Sequence, residues 1–134
     1  MTNHWEPRPV PPVTPETEYF WEGCAEGELR LPHCTDCNTD FYYPRAVCPD
    51  CTSQSLDWTI AEGIGTIYSY SVMSDFGDWP DPHILAYVDL PEGVRIMTNI
   101  VDCDPAALSI GTPVEVKFIP TEDDSISVPV FQPR

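Results

Sequence analysis

Two close pairs of cysteines, Cys34-Thr-Asp-Cys37 and Cys48-Pro-Asp-Cys51, stand ten residues apart in a chain of 134. Each C-x-x-C turn presents two sulfurs from one knuckle. A hairpin between the knuckles brings four thiolates to the corners of a tetrahedron, the geometry that Zn²⁺ adopts. The spacing therefore predicts a zinc ribbon whose structural metal is held by Cys34, Cys37, Cys48 and Cys51. Four protein ligands leave no open position for chemistry, so activity has to be sought in what the ribbon is attached to. His33 adjoins the first knuckle and is a candidate ligand, but four thiolates already complete the set. Asn38 and Thr52 follow the two pairs, where knuckles usually carry glycine because the backbone turns with positive φ. Asn tolerates that conformation and Thr tolerates it poorly.

Compartment and surface follow from composition. No stretch approaches the roughly 18 consecutive apolar residues of a membrane helix, and Met1–Val13 lacks the basic and apolar regions of a signal peptide. A cytoplasmic protein is the expectation. Reducing conditions there favour metal over disulfides as the use of the paired cysteines, and Cys24 and Cys103, outside the pairs, read as small buried apolar residues. Twenty-two acids against six cations give a net charge of −16. The acids are scattered from Glu6 to Asp124, which describes an acidic surface rather than a tail. Such a surface forfeits the counterion release that drives nucleic-acid binding. Tyr68 and Tyr70 can stack bases and Arg30, Arg45 and Arg95 can reach phosphates, but the charge balance makes a single-stranded nucleic-acid module the weakest alternative.

Three stretches follow one another. Residues 1–14 carry Pro7, Pro9, Pro11 and Pro12 and read as an extended proline-rich arm, either disordered or laid along a partner. Residues 15–58 read as a short helix followed by the ribbon. Thr14 is the expected N-cap with Pro15 at the first helical position, and the helix runs to about Gly23. Its Tyr19, Phe20 and Trp21 are core candidates, although three consecutive residues cannot share one helix face. Leu29-Arg30-Leu31 is expected to enter the first knuckle as a strand, with Phe41-Tyr42-Tyr43 returning as its mate.

Residues 59–134 alternate with a period of two. Strands are expected over Gly65–Met73, with Tyr68, Tyr70 and Val72 on one side, then Ile84–Leu90, Val94–Ile100 and Val114–Phe118. Pro91-Glu92-Gly93 makes the hairpin turn, and Asp104 caps a short helix. A last strand over Ser125–Phe131 is expected to be an edge or a broken one because of Pro129. Three strands, a helical link and two strands is the order of an OB-fold barrel. The expected class is thus mainly β: arm and short helix, zinc ribbon, C-terminal barrel.

Phe20-Trp21-Glu22-Gly23, Gly27-Glu28-Leu29-Arg30-Leu31, the two cysteine pairs with Tyr43-Pro44-Arg45-Ala46-Val47 before the second, Gly63-Ile64-Gly65-Thr66-Ile67-Tyr68-Ser69 and Ile110-Gly111-Thr112-Pro113-Val114 together resemble the DUF35 family across nearly the whole chain. That resemblance implies a rubredoxin-like zinc ribbon plus OB-fold. It also implies a non-catalytic accessory subunit in lipid metabolism, bound to a thiolase-superfamily enzyme in a hetero-oligomer and helping to form its acyl-CoA channel. A stand-alone acyl-CoA carrier is the alternative.

Intrinsic catalysis is not expected, because His4, His33 and His83 are the only neutral-pH bases and none sits in a recognisable catalytic motif. His83, opening a strand beside Asp81 and Pro82, reads as solvent-facing. The segment Asp75–Pro82 joins the first two barrel strands and carries Phe76 and Trp79 between prolines. These are either anchors for a partner or aromatics folded back on the barrel. Arg30 and Arg45 are candidates for CoA phosphates or the partner, and equally for pairing with surface acids.

Overall fold

The chain's first regular element is set by a turn that comes before it. In the computed structural model, which describes residues 8–74 and 83–134, Thr17 donates its backbone N–H to Thr14 O at 3.0 Å, and Thr14 N–H reaches Thr17 Oγ1 at 2.9 Å. Pro15 lies inside this turn, and helix α1 starts three residues later than the cap residue predicts, at Glu18–Ala25. Its C-terminus is a Schellman close. Gly27, at φ +81°, donates to Cys24 O and Glu28 donates to Gly23 O. Phe20, Trp21 and Cys24 point into the core while Tyr19 remains exposed, as helical periodicity requires of consecutive aromatics.

The ribbon is a three-stranded antiparallel sheet in the order β2-β1-β3, from β1 (Arg30–Cys34), β2 (Thr39–Asp40) and β3 (Leu56–Ile60). Of the expected mate Phe41–Tyr43, Phe41 keeps to β1, its N–H donating to Pro32 O at 3.0 Å, and the ladder proper lies just before it. The pairing is His33 with Asp40 and Cys34 with Thr39. Tyr42 and Tyr43 instead turn towards Phe20, with ring centroids 5.8 Å away in both cases. Burial against the helix outweighs continuing a two-residue ladder. β3 is an unpredicted strand that pairs with β1 along its whole length. Its apolar alternation of Leu56, Trp58 and Ile60 is a period-two signal, interrupted by Asp57 and Thr59.

The five barrel strands are β4 (Ile64–Met73), β5 (His83–Asp89), β6 (Arg95–Asn99), β7 (Pro113–Pro120) and β8 (Ser127–Pro133), in the order β6-β5-β4-β7-β8. A parallel bridge between Ile100 and Phe131, with Val101 N–H donated to Phe131 O at 2.9 Å, brings the two ends of the sheet together. This is the OB-fold that the strand order predicts. One turn of 3-10 helix, Pro105–Ala107, follows Asp104, whose carboxylate accepts the Ala106 N–H at 3.0 Å.

One expectation about the barrel changes and another is narrowed. Ile67 pairs with Val88 and Tyr70 with Ala86, so the two-residue step on β5 is matched by three residues on β4. This β-bulge at Tyr68 puts Tyr70 on the core side with Ile67, its hydroxyl donating to Leu108 O at 3.0 Å, and leaves Tyr68 outside. Strand β8 stands at the end of the strand order, the edge that Pro129 predicts, and it runs unbroken over Ser127–Pro133. Phe131 turns its carbonyl toward the seam with β6, and by the two-residue period Pro129 turns the same way, so its missing N–H removes no bond to β7.

Helix, ribbon base and barrel share one core. Phe20, Cys24, Leu29 and Leu31 belong to the same buried cluster as Ile67, Val88, Ile96 and Phe131. Two small clusters lie apart from it: Cys34, Phe41 and Cys48 backed by Leu56 at the ribbon tip, and Val101, Ile119 and Val130 backed by Val128 in the barrel. In the described part of the arm, Arg8 is tied to the barrel. Arg8 N–H donates to Pro120 O, Glu122 N–H donates to Arg8 O, and Arg8 bridges in parallel to Thr121. Its buried guanidinium donates to Asn99 Oδ1 at 2.7 Å.

Candidate metal centre

Strand β1 delivers Cys34 at its end, and the chain then turns through Cys37 into Asn38 at φ +56°. The second knuckle repeats the device. Thr52 sits at φ +63°, its N–H bonded to Cys48 O, while Cys48 N–H is bonded to Ser53 O, both at 2.9 Å. Both residues that follow the cysteine pairs thus adopt the left-handed conformation inferred for them from the sequence. The knuckles are tied to one another by Thr35 N–H to Ser55 O at 2.9 Å and by the Ser53 hydroxyl donating to the Asp36 carboxylate.

The four sulfurs converge. Cys34 Sγ lies 3.5 Å from Cys51 Sγ and Cys37 Sγ lies 3.6 Å from Cys48 Sγ, and all four fall within 4.8 Å of one another. A tetrahedron with Zn–S bonds of about 2.3 Å has sulfur-to-sulfur edges of about 3.8 Å. The donor set and spacing therefore fit zinc. Cys34 and Cys48 face the ribbon interior, and Cys37 and Cys51 face solvent.

Electrostatics agree. The backbone N–H of Cys37 holds the Cys34 thiol down to about 7, whereas Cys51 is pushed up to about 12. The Ser53 N–H favours the Cys51 thiolate but is outweighed by the neighbouring thiols and by burial. Four sulfurs in this space cannot all ionise without a cation among them. His33 is not part of the set. Its Nδ1 lies 2.7 Å from Asp40 Oδ1, a carboxylate that also accepts the Thr59 hydroxyl.

The other sequence-derived candidates are not gathered at the metal. Arg30 is buried: Nε donates to Glu28 at 2.9 Å, one terminal nitrogen to Tyr19 O and the other to Glu26, each at 3.2 Å. Its guanidinium carbon lies 4.1 Å from the Tyr19 ring centroid. A methyl added at Gly23 would stand 2.5 Å from Arg30 Cδ, so this glycine admits the arginine beneath the helix. Arg30 is a strut between α1 and β1, paired with acids as its alternative reading has it. Arg45 is exposed. Phe76, Trp79 and His4 lie outside the described residues.

His83 corrects another expectation, for it is buried, its Nε2 3.2 Å from Asn99 Nδ2. Burial and the nearby Arg8 hold its pKa below the usual histidine value. The cover comes from the arm and β6, neither of which is local in sequence to His83. Cys24 is core, and burial pushes its thiol up to about 12; Cys103 is half-buried and also raised by burial. Cations are largely consumed inside the fold: Arg8 and Arg30 are buried, Arg95 pairs with Asp89, and Lys117 pairs with Asp102. An open groove of about 380 Å³ lies beside Ile64, Leu90, Pro113 and Arg134. Among the described residues, no helix is long and apolar enough to cross a membrane.

Comparison with known proteins gives the same two parts. Residues 21–57 match the family described as the ChsH2 rubredoxin-like zinc ribbon domain, and residues 58–118 match the ChsH2 C-terminal OB-fold domain. A DUF35 domain-containing scaffold protein of Methanothermobacter thermautotrophicus is 39% identical over 109 residues, 77% of this chain and 81% of the relative. A Thermomonospora curvata protein named "Probable enoyl-CoA hydratase alpha subunit" is 32% identical over 94% of this chain, which spans 40% of that relative's length. Among solved structures, a chain of the Ltp2-ChsH2(DUF35) aldolase superposes with a TM-score of 0.81 at 31% identity, over 92% of this chain and 98% of that one.

Proposed function

The chain belongs to the DUF35 family of ChsH2-type proteins, a rubredoxin-like zinc ribbon joined to an OB-fold, and from that premise we propose that it is an accessory subunit that binds a thiolase-superfamily enzyme and helps form its acyl-CoA channel. The observation that carries this reading is the near end-to-end likeness to a chain of the Ltp2-ChsH2(DUF35) aldolase. A chain that adds no large element to that one has the parts for the same kind of role. The relatives named as hydratase subunits are more than twice as long, and their activity is not assigned to this chain.

The disposition of reactive side chains supports a non-catalytic role. The paired thiols belong to a metal site, Cys24 is core, His33 is held by Asp40 and His83 by Asn99. The groove beside Arg134 is open, and a ligand lying in it would keep much of its surface in water, which favours a channel completed by a partner over a stand-alone carrier. We assign Arg45, with Phe76 and Trp79 of the 75–82 segment, as partner or CoA contacts. Arm 1–14, helix and ribbon 15–58 and barrel 59–134 are the proposed units, in a protein of the cytoplasm.

Co-expression of the tagged chain with the thiolase-superfamily proteins of its own organism tests the reading. One of them is expected to co-purify and to show altered activity toward acyl-CoA. Recovery of the chain alone from every pairing, with enzyme activities unchanged, overturns it. Calorimetry with acyl-CoA separates the alternatives, since tight binding by the isolated chain would make it a carrier.

A further inference from the structure

The outer face of β4, β5 and β6 is unlike the rest of the molecule. Inward positions of β5 and β6, such as Ala86, Val88 and Ile96, fill the barrel. The alternate positions carry Tyr87 and Met97, which stand directly opposite one another across the two strands and are 43% and 56% exposed. Tyr68 extends the same surface. It follows the core residue Ile67 and so faces outward, where it is 49% exposed, and the Arg95 guanidinium carbon lies 3.4 Å from its ring centroid. The bulge after it turns Tyr70 to the core and sets Ser69 and Ser71, opposite Tyr87 and Leu85, on this outer face. Between the strands lies a hollow of about 130 Å³ walled by Leu85 and Tyr87, far below the 300 Å³ or more of a small-molecule site and open to a single inserted side chain.

Charge makes this face an exception. The chain carries 22 acids, yet the outward position that is acidic on these strands is Asp89, and both of its oxygens are bonded to Arg95, at 2.6 and 3.2 Å. Aromatic residues, methionine and arginine with few unpaired charges form the composition of the centre of a protein interface. A second copy is a poor occupant, because each would bring a net charge of −16 to the contact. The surrounding acidity instead steers in a protein whose own apolar contact patch is bordered by lysine and arginine.

We infer that the outer face of β4, β5 and β6, centred on Tyr68, Tyr87 and Met97 with the Arg95–Asp89 pair at its margin, is the docking surface for the partner enzyme, a protein with an apolar patch rimmed by cations that inserts one side chain beside Leu85. This rests on the accessory-subunit reading and specifies where the enzyme sits.

The test uses zinc-loaded Tyr87→Asp and Met97→Asp chains, with Ile60→Asp on the exposed face of β3 as a control. The probe is the thiolase-superfamily subunit recovered by co-expression. Far-UV circular dichroism and zinc content are checked first, and Met97→Ala gives a milder change should an aspartate variant misfold. Each aspartate variant is expected to weaken binding at least thirty-fold, Met97→Ala several-fold, and Ile60→Asp less than three-fold. Wild-type affinity should fall as salt rises, because the rim attraction is screened. Normal binding by folded Tyr87 and Met97 variants overturns the docking surface while leaving the accessory role in place. Loss of binding on Ile60→Asp alone does the same by moving the contact to the ribbon. A wild-type self-association abolished by Tyr87→Asp would make the face a homodimer contact and overturn the proposal. Failure of the wild-type chain to bind any such subunit overturns both readings.

Discussion

At the scale of single residues, two positions in the knuckles show how local sequence fixes local shape. Asn38 and Thr52 both stand at positive φ, but only one of them is suited to it. The threonine side chain crowds the backbone there at a cost of roughly 1–2 kcal/mol relative to glycine, offset in part by glycine's greater freedom when unfolded. Thr52→Gly is therefore expected to stabilise the zinc-loaded protein by about 1 kcal/mol, read from denaturant unfolding. No gain would mean that the Thr52 hydroxyl, 2.6 Å from Cys51 O, compensates for the strain. The metal ligands and this strain were legible because each depends only on neighbours within a few positions. The roles of Arg30 and His83 were not. An arginine two residues past a glutamate looks like a surface cation until α1 is known to lie over it, and the cover on His83 comes from Arg8 and Asn99, distant in the chain.

At the scale of elements, the ribbon divides into a tip held by metal and a base held by packing. β1 begins within the shared core at Leu31 and ends at a metal ligand, and β3 runs beside it. The tip has for apolar support only Phe41 and Leu56 around two buried cysteines. Chelating the metal, or Cys48→Ser, is expected to abolish amide protection across residues 34–55 while leaving Ile67, Val88 and Ile96 protected, as hydrogen exchange would measure. Global loss of protection would show that metal and barrel form one cooperative unit. Strand identity in the barrel was readable because Ile84, Ala86, Val88 and Leu90, and likewise Val94, Ile96, Thr98 and Ile100, alternate without interruption. The bulge at Tyr68 was not readable, since one inserted residue reverses every following position and leaves no local mark.

For the whole molecule, the shared core makes stability sensitive to alkali. Cys24 lies where the helix meets the barrel, and its pKa rises from 9.0 unfolded to about 12 folded; burial moves Tyr42 the same way. Above pH 9 the unfolded chain gives up a proton that the folded chain keeps, so the contribution is complete below pH 9 and is lost as pH climbs toward 12. The free energy of unfolding is expected to be lower at pH 10.5 than at pH 8. Cys24→Ala, although less stable throughout, should show a shallower decline, and equal slopes for the two would remove Cys24 from the account. The sequence by itself determined the metal ligands, the all-β barrel, the family resemblance and the acidity, because these rest on residue type and short spacing. Only the tertiary structure decided that Arg8 is tied to the barrel, that Arg30 is a strut between α1 and β1, that Pro129 faces the seam, and that Tyr68, Tyr87 and Met97 meet on one face. Each of those depends on strands and segments distant in the chain being brought side by side, and neither side-chain chemistry nor periodicity within one segment specifies its neighbour in the next.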